Sequence, residues 1–340
     1  MKKISLLFLL LPLLCLSAYA LPQDSAKAAV LIHAESGEVL YAHDADAPLP
    51  MASTTKLMTA LVVLRRCELS EPVTVSENAA GVEGSSMYLR QGEELSVEEL
   101  LYGLLLASGN DAAVALAEHC AGDVQSFVRL MNEEAEEIGL QNTHYVNPNG
   151  LHDDRHYTTA ADLAKLMQCC LQNADFCRIS GCSSAKLAER YLQNHNKLLQ
   201  SCRGVFSGKT GYTKAAGRCL VTACERNGLR LICVTLCDRQ DWNDHAALYE
   251  RAYENYEVFR LEKGSAAGSI PLIGGSRETL RAVVGSEICR CVKKGTPIRK
   301  ELFLPPFVFA PTNPQKELGT LHLHLGERTE IIPLFPAEVG

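Results

Sequence analysis

Ser53 is followed three residues later by a lysine, in Ser53-Thr54-Thr55-Lys56. A serine hydroxyl is a weak nucleophile unless a base within hydrogen-bond reach takes its proton, and the chain has no G-x-S-x-G turn to suggest a histidine for that task. Residues three apart share one face of a helix, so a helix beginning just after Pro50 brings the Lys56 amine to Ser53 Oγ. Two further polar clusters follow in order, Ser108-Gly109-Asn110 and Lys209-Thr210-Gly211. Taken singly, each has a plainer explanation. Ser53 can cap a helix beside a solvated Lys56, Asn110 or Asp111 can cap a helix connection, and Lys-Thr-Gly can be an exposed turn. Taken together, they supply a nucleophile, a base, a second hydroxyl, a carboxamide and a second cation. These are the parts needed to transfer an acyl group through a serine ester.

The parts take definite roles. Lys56 acts as base only when neutral, and burial together with a second cation, Lys209, lowers a lysine's proton affinity. Ser108 relays a proton to the leaving amine, while the Asn110 carboxamide donates to a substrate carbonyl and accepts from a substrate N–H. Lys209 and Thr210 bind a carboxylate. Gly211, without a Cβ, lets a substrate backbone lie along an edge strand. The backbone N–H groups of Ser53 and Tyr212 serve as oxyanion donors, each typically worth about 3–4 kcal/mol.

The surrounding pattern supplies elements to hold these groups. Ala52 to Leu61 reads as a helix start, with Leu57, Leu61 and Leu64 forming an apolar stripe. Ser96-Val97-Glu98-Glu99 is a capping box opening a helix through Leu106, and a second helix begins at Asp111. Thr159-Ala160-Ala161-Asp162 predicts another capping box. Strand-like runs flank this helical middle. Ala29–Ile32 and Val39–Tyr41 surround a Ser36-Gly37 turn, and Cys219–Ala223 and Leu231–Leu236 surround the hairpin turn Asn227-Gly228. A final helix is predicted from Asp244 to Tyr256, covering the sheet.

With these elements in place, the chain resembles the low-molecular-mass penicillin-binding proteins that are serine-type D-alanyl-D-alanine carboxypeptidases. The resemblance also rests on Ala107–Ala112, Asn147-Pro148-Asn149-Gly150-Leu151-His152, His156–Leu163 and Ser207–Thr213, and covers roughly residues 27–255. It implies Ser53 as acylated nucleophile, Lys56 as proton acceptor, Ser108 as proton shuttle and Lys209 as substrate binder. Tyr212 stands where some members carry histidine. The implied fold class is α+β, the sheet-plus-helical-cluster fold of penicillin-binding proteins and β-lactamases, followed by a small all-β domain. The implied partners are peptidoglycan stem peptides ending in D-Ala-D-Ala, with β-lactams as covalent inhibitors and no cofactor.

Composition agrees. The chain has 340 residues, 47% of them hydrophobic, enough for a full core and a second domain, and its net charge of −7 offers no basic stripe for nucleic acid. Lys2 and Lys3, the apolar run Ile4–Leu16 and Ala18-Tyr19-Ala20 read as a secretory signal over residues 1–20, which places the protein outside the cytoplasm. The expected catalytic domain is 21–256, and the all-β domain 257–340, entered through a small-residue linker Gly264–Gly268. No C-terminal amphipathic anchor is evident in the sequence. His322 and His324 share a strand face, with no third metal ligand in view. The 13 cysteines left after signal removal are an odd number, and they are expected to be buried free thiols; a Cys224–Cys233 bridge would overturn that expectation. Two other functions fit parts of the pattern. One is a serine β-lactamase, disfavoured because no E-x-x-L-N stretch precedes Lys209, and the other is a non-catalytic wall- or penicillin-binding module.

Overall fold

The computed structural model describes residues 24–187 and 189–337; the predicted signal segment lies outside them. Strands β1 (Ala28–His33) and β2 (Val39–His43) open the chain, and a 3₁₀ turn, Ala52–Thr55, leads into α1 (Lys56–Arg66). Short strands β3 (Pro72–Thr74) and β4 (Glu94–Ser96) pair before α2 (Val97–Leu105), α3 (Asn110–Ala121) and α4 (Val124–Glu137). Next come α5 (Ala160–Cys170), α6 (Ala174–Ser180), the hairpin β5 (Ser184–Leu187) and β6 (Arg190–Gln193), and the one-turn α7 (Leu198–Ser201). Strands β7 (Val205–Thr213), β8 (Gly217–Arg226) and β9 (Leu229–Leu236) then precede α8 (Asp241–Asn255).

The central sheet is antiparallel, in the order β2-β1-β9-β8-β7, so strands from both ends of this region close one sheet and β7 forms an edge. Both faces of the sheet are covered, which is why β8 and β9 read as nearly continuous apolar runs. Val30, Ile32, Val221 and Ile232 face the helical cluster of α1 to α6. Leu31, Leu220, Leu231 and Cys233 face Leu248 and Tyr249 of α8. Period-two alternation thus splits each strand between two cores.

Local signals set the helix starts. Ser96 Oγ accepts from Glu99 N (3.2 Å) while Glu99 Oε2 accepts from Ser96 N (2.9 Å), completing the box that starts α2. Only half of the second predicted box forms. Thr159 Oγ1 caps Asp162 N (3.0 Å), but the Asp162 carboxylate turns away to Asn142 N (2.8 Å) and Thr143 Oγ1 (2.7 Å), pinning the loop before it.

The C-terminal strands are β10 (Tyr256–Leu261), β11 (Ala266–Ile273), β12 (Thr279–Val284), β13 (Ile288–Lys293), β14 (Ile298–Phe303), β15 (Val308–Phe309), β16 (Gly319–Leu325) and β17 (Arg328–Pro336). Strands β10 and β13 pair; the rest form a sheet in the order β14-β16-β17-β12-β11-β15 over Val284, Leu323, Ile332 and Leu334. The predicted linker is a correction. Of that segment only Gly264 and Ser265 lie outside a strand, and Ala266–Gly268 already pair with β12 across a bulge, because small residues fit a strand as well as a linker. His322 packs on Phe303 and His324 bonds Thr329, so the two share no ligand. Cys224 and Cys233 lie within one apolar cluster, and all thirteen cysteines among the described residues are free thiols, seven of them buried and, against expectation, six only half-buried. No helix among the described residues is long and apolar enough to cross a membrane.

Candidate active site

Ser53 lies on a turn that is tighter than the predicted helix start. Ala52 has φ +50°, a strained conformation for a residue with a Cβ, and α1 begins only at Lys56. Side-chain hydroxyls hold the turn: Thr54 Oγ1 donates to Met51 O (2.7 Å) and Thr55 Oγ1 to Ala52 O (2.8 Å). Behind it, burial lowers the His156 pKa to about 4, so its ring is neutral at neutral pH. Its Nδ1 accepts from Val146 N (3.0 Å), leaving the Nε2–H to donate to Thr55 Oγ1 at 2.7 Å.

The Asn147–Gly150 loop packs against the same turn. Asn147 Oδ1 accepts from Gly150 N (2.7 Å), and Pro148 O accepts from Thr59 Oγ1 of α1 (2.6 Å). Gly150 has φ +88°, and a Cβ there would stand 2.0 Å from Ala52 O and 2.9 Å from Ser53 N. Gly150→Ala is therefore expected to push the Ser53 peptide out of place. The expected outcome is a kcat loss of at least about 100-fold, the size of one lost oxyanion donor, in a protein whose circular dichroism is unchanged. Single-turnover acylation measures it.

Lys56 is fully buried, and its Nζ has three partners: Ser53 Oγ at 3.0 Å, Asn110 Oδ1 at 2.7 Å and Asn149 O at 2.6 Å. Burial lowers its pKa well below the ordinary lysine value, the Lys209 charge lowers it further, and Asp111 opposes both. Asn110 is more committed than its sequence role implied. Its Oδ1 takes Lys56 and its Nδ2 donates to Glu83 O (2.6 Å), so its main task is to hold the lysine. Asp111 beside it accepts from Met87 N (3.1 Å), Leu89 N (3.0 Å) and Ser86 Oγ (2.6 Å), fixing the loop over the cleft.

Ser108, at the break between α2 and α3, has φ +60° and accepts from Lys209 Nζ at 2.9 Å. Lys209 is also buried; desolvation lowers its pKa to about 7, and its second contact is Thr210 O (2.8 Å). Strand β7 carries it past the Ser53 turn. A Cβ on Gly211 would stand 3.0 Å from Ser53 N and from Met51 O, so any larger residue would press on the Ser53 turn.

Ser53, Ser108, Thr210, Gly211 and Tyr212 line one groove of about 480 Å³, with Lys56, Asn110 and Lys209 buried behind them. Five groove residues were not singled out from the sequence: Ser85, His195, Arg218, Asp241 and Trp242. Register sets Arg218 opposite Tyr212, so Thr210, Tyr212 and Arg218 share a sheet face. The Arg218 guanidinium bonds Asp241 at 2.6 Å and stacks on Trp242. Asn149, Gly150 and His156 belonged to segments that the resemblance used, but spacing alone gave them no role.

A five-stranded sheet backed by helices on both faces, with a lysine-paired serine beside an edge strand, defines a serine peptidase of the penicillin-binding class. Residues 17–240 match the family model described as D-alanyl-D-alanine carboxypeptidase. The chain is 34% identical over 315 residues to D-alanyl-D-alanine carboxypeptidase DacF of Bacillus subtilis, spanning 88% of this chain and 81% of that protein. It is also 34% identical over 218 residues to D-alanyl-D-alanine carboxypeptidase DacB2 of Mycobacterium tuberculosis, covering 62% of this chain and 75% of that one. The crystal structure of penicillin-binding protein 5 from Haemophilus influenzae superposes with a TM-score of 0.80 at 28% identity, covering 93% of this chain and 98% of that chain. The chain belongs to the D-alanyl-D-alanine carboxypeptidase family.

Proposed function

We propose that the protein removes the terminal D-alanine from peptidoglycan stem peptides outside the cytoplasm, through an ester on Ser53, and that β-lactams acylate the same oxygen. One observation carries the assignment of roles. Of the three partners of Lys56 Nζ, the carbonyls of Asn110 and Asn149 can only accept, so the two N–H groups of a neutral amine go to them. The remaining lone pair faces Ser53, the one partner with a proton to give.

In the first step Ser53 Oγ attacks the carbonyl carbon of the penultimate D-alanine as its proton passes to Lys56 Nζ. The negative oxygen is held by the N–H groups of Ser53 and Tyr212. The C–N bond then breaks, and the leaving amine takes a proton delivered through Ser108, which Lys209 orients. Lys56, neutral again once the proton it took from Ser53 has passed to that amine, deprotonates the water that hydrolyses the ester and restores the serine.

By residue type alone, the carboxylate falls to Lys209 and Thr210. Because Lys209 is buried and occupied by Ser108 and Thr210 O, we assign that contact to the Thr210 hydroxyl and the Arg218 guanidinium, which line the groove. Arg218→Gln is expected to raise KM about 10- to 100-fold for peptides with a free C-terminal carboxylate, the worth of one charged hydrogen bond, and to leave kcat near wild type. Steady-state kinetics on the free acid and its amide check this.

The deciding experiment is D-alanine release from diacyl-lysyl-D-alanyl-D-alanine by residues 21–340, beside a penicillin-turnover control. Release with slow penicillin turnover supports the carboxypeptidase. Rapid penicillin hydrolysis without release would overturn it in favour of a β-lactamase, and neither activity would favour the binding module. The acid lining the groove, Asp241, is tied to Arg218, which leaves it poorly suited to the deacylating task of a β-lactamase glutamate.

A further inference from the structure

Helices α1 and α3 meet at both ends. At their N-terminal ends, Lys56 Nζ donates to Asn110 Oδ1. At their C-terminal ends lie Cys67, which caps α1, and Cys120, in the last turn of α3, two thiols close enough to influence each other's ionisation. Two more ligand-type side chains converge there. His119 Nε2 lies 2.8 Å from Glu71 Oε2, and Glu71 Oε1 is fixed by Glu68 N at 2.8 Å. Cys67 Sγ, a Glu71 carboxylate oxygen and a His119 ring nitrogen all lie within 4.8 Å of one another.

We propose that Cys67, Glu71, His119 and Cys120 form a binding site for one zinc-like divalent cation. Two sulfurs, an imidazole nitrogen and a carboxylate oxygen make a borderline-soft donor set that suits tetrahedral zinc. With metal–ligand bonds of about 2.0–2.3 Å, tetrahedral donors lie roughly 3.3–3.8 Å apart, so Cys67, Glu71 and His119 need only small side-chain rotations to close on an ion, and Cys120, beside Cys67, is left to swing in as the fourth ligand. The His119–Glu71 hydrogen bond is the contact two ligands make with each other before an ion separates them. The Glu68 contact steadies the carboxylate from outside, as supports of metal ligands commonly do.

Binding involves no electron transfer. The two thiols lose their protons to solvent, their sulfurs form two metal bonds, and Glu71 and neutral His119 add one bond each. All four ligands are half-buried, and they come from two segments: the turn after α1 and the last turn of α3. The ion thus ties two helices together about 15 Å, or ten helical residues, from Lys56 and Asn110. The three-donor cluster of His33, Glu35 and Cys289 elsewhere in the chain serves as an internal control.

The test uses the reduced, metal-free chain without its predicted signal segment, titrated with Co²⁺ and then Zn²⁺. One equivalent of cobalt is expected to give tetrahedral bands and a thiolate charge-transfer band, both lost on adding zinc. Losing an outer contact alone costs 10–100-fold in affinity, so Cys67→Ser and His119→Gln are each expected to weaken cobalt binding by more than about 100-fold. Cys289→Ser is expected to leave it unchanged. If Cys67→Ser fails to fold, the half-exposed His119→Gln and Glu71→Gln variants carry the test. No thiolate band, or an equal band in His119→Gln, would overturn the proposal. So would a Cys67–Cys120 disulfide in a non-reducing peptide map of the exported protein, which would make the pair an oxidised cross-link.

Discussion

Ser53→Ala is expected to end covalent labelling by a fluorescent penicillin and to lower D-alanine release by at least about 10⁴-fold, the scale on which serine hydrolases lose kcat with their nucleophile. The fold is expected to survive. Among the described residues Ser53 Oγ has only Lys56 and a long 3.4 Å contact to Asn149 O as partners, and Lys56 keeps both of its carbonyl acceptors without it. Far-UV circular dichroism close to wild type would therefore accompany the loss. The result that rejects the assignment is persistent labelling, and mapping the label would show where the ester forms. Ser108 is the alternative to check first, because it lines the same groove and is paired with the other buried lysine.

Lys56→Met is expected to have the second-largest effect. It keeps the length of the side chain and removes the base, so kcat/KM falls by about 10²–10⁴-fold, the usual worth of a positioned general base. The pH profile separates a base from a structural cation. Burial and the Lys209 charge lower the Lys56 pKa, so the amine is charged at low pH and becomes neutral as pH rises. Wild-type kcat/KM should then climb with pH through that titration and level off above it. In Lys56→Met the acid limb governed by Lys56 should vanish, leaving a low, flatter profile. A full acid limb in the variant would show that another group titrates in this step.

What the sequence made legible follows from the range over which each signal acts. Ser53 and Lys56 are three residues apart, and helical spacing alone brings them together. Strand β7 was readable as an edge, and the Asn227-Gly228 hairpin set the pairing of Thr222 with Cys233. The partners of Lys56 were not readable. Asn110 reaches it across 54 positions and Asn149 across 93, and the second contact is a backbone carbonyl that every residue type carries. The Ala52–Thr55 turn reads as ordinary helix in the sequence because its cause, the fit of Gly150 and His156 against it, is tertiary. Arg218 went unnoticed for a similar reason, since only strand register sets it opposite Tyr212. Asp162 carries a capping signal, yet a loop with unmet N–H groups claimed its carboxylate.

An edge strand open to a substrate's backbone is equally open to the backbone of a second copy, and β7 cannot be shielded without closing the groove. Its composition supplies the protection instead. Gly208 and Gly211 interrupt the run with residues of poor β-propensity, the bulge at Val205–Ser207 breaks its register, and Lys209 places an ionisable amine in its middle. The features that admit one peptide thus also discourage self-association, so substitutions that make this strand more regular should trade turnover for a tendency to aggregate.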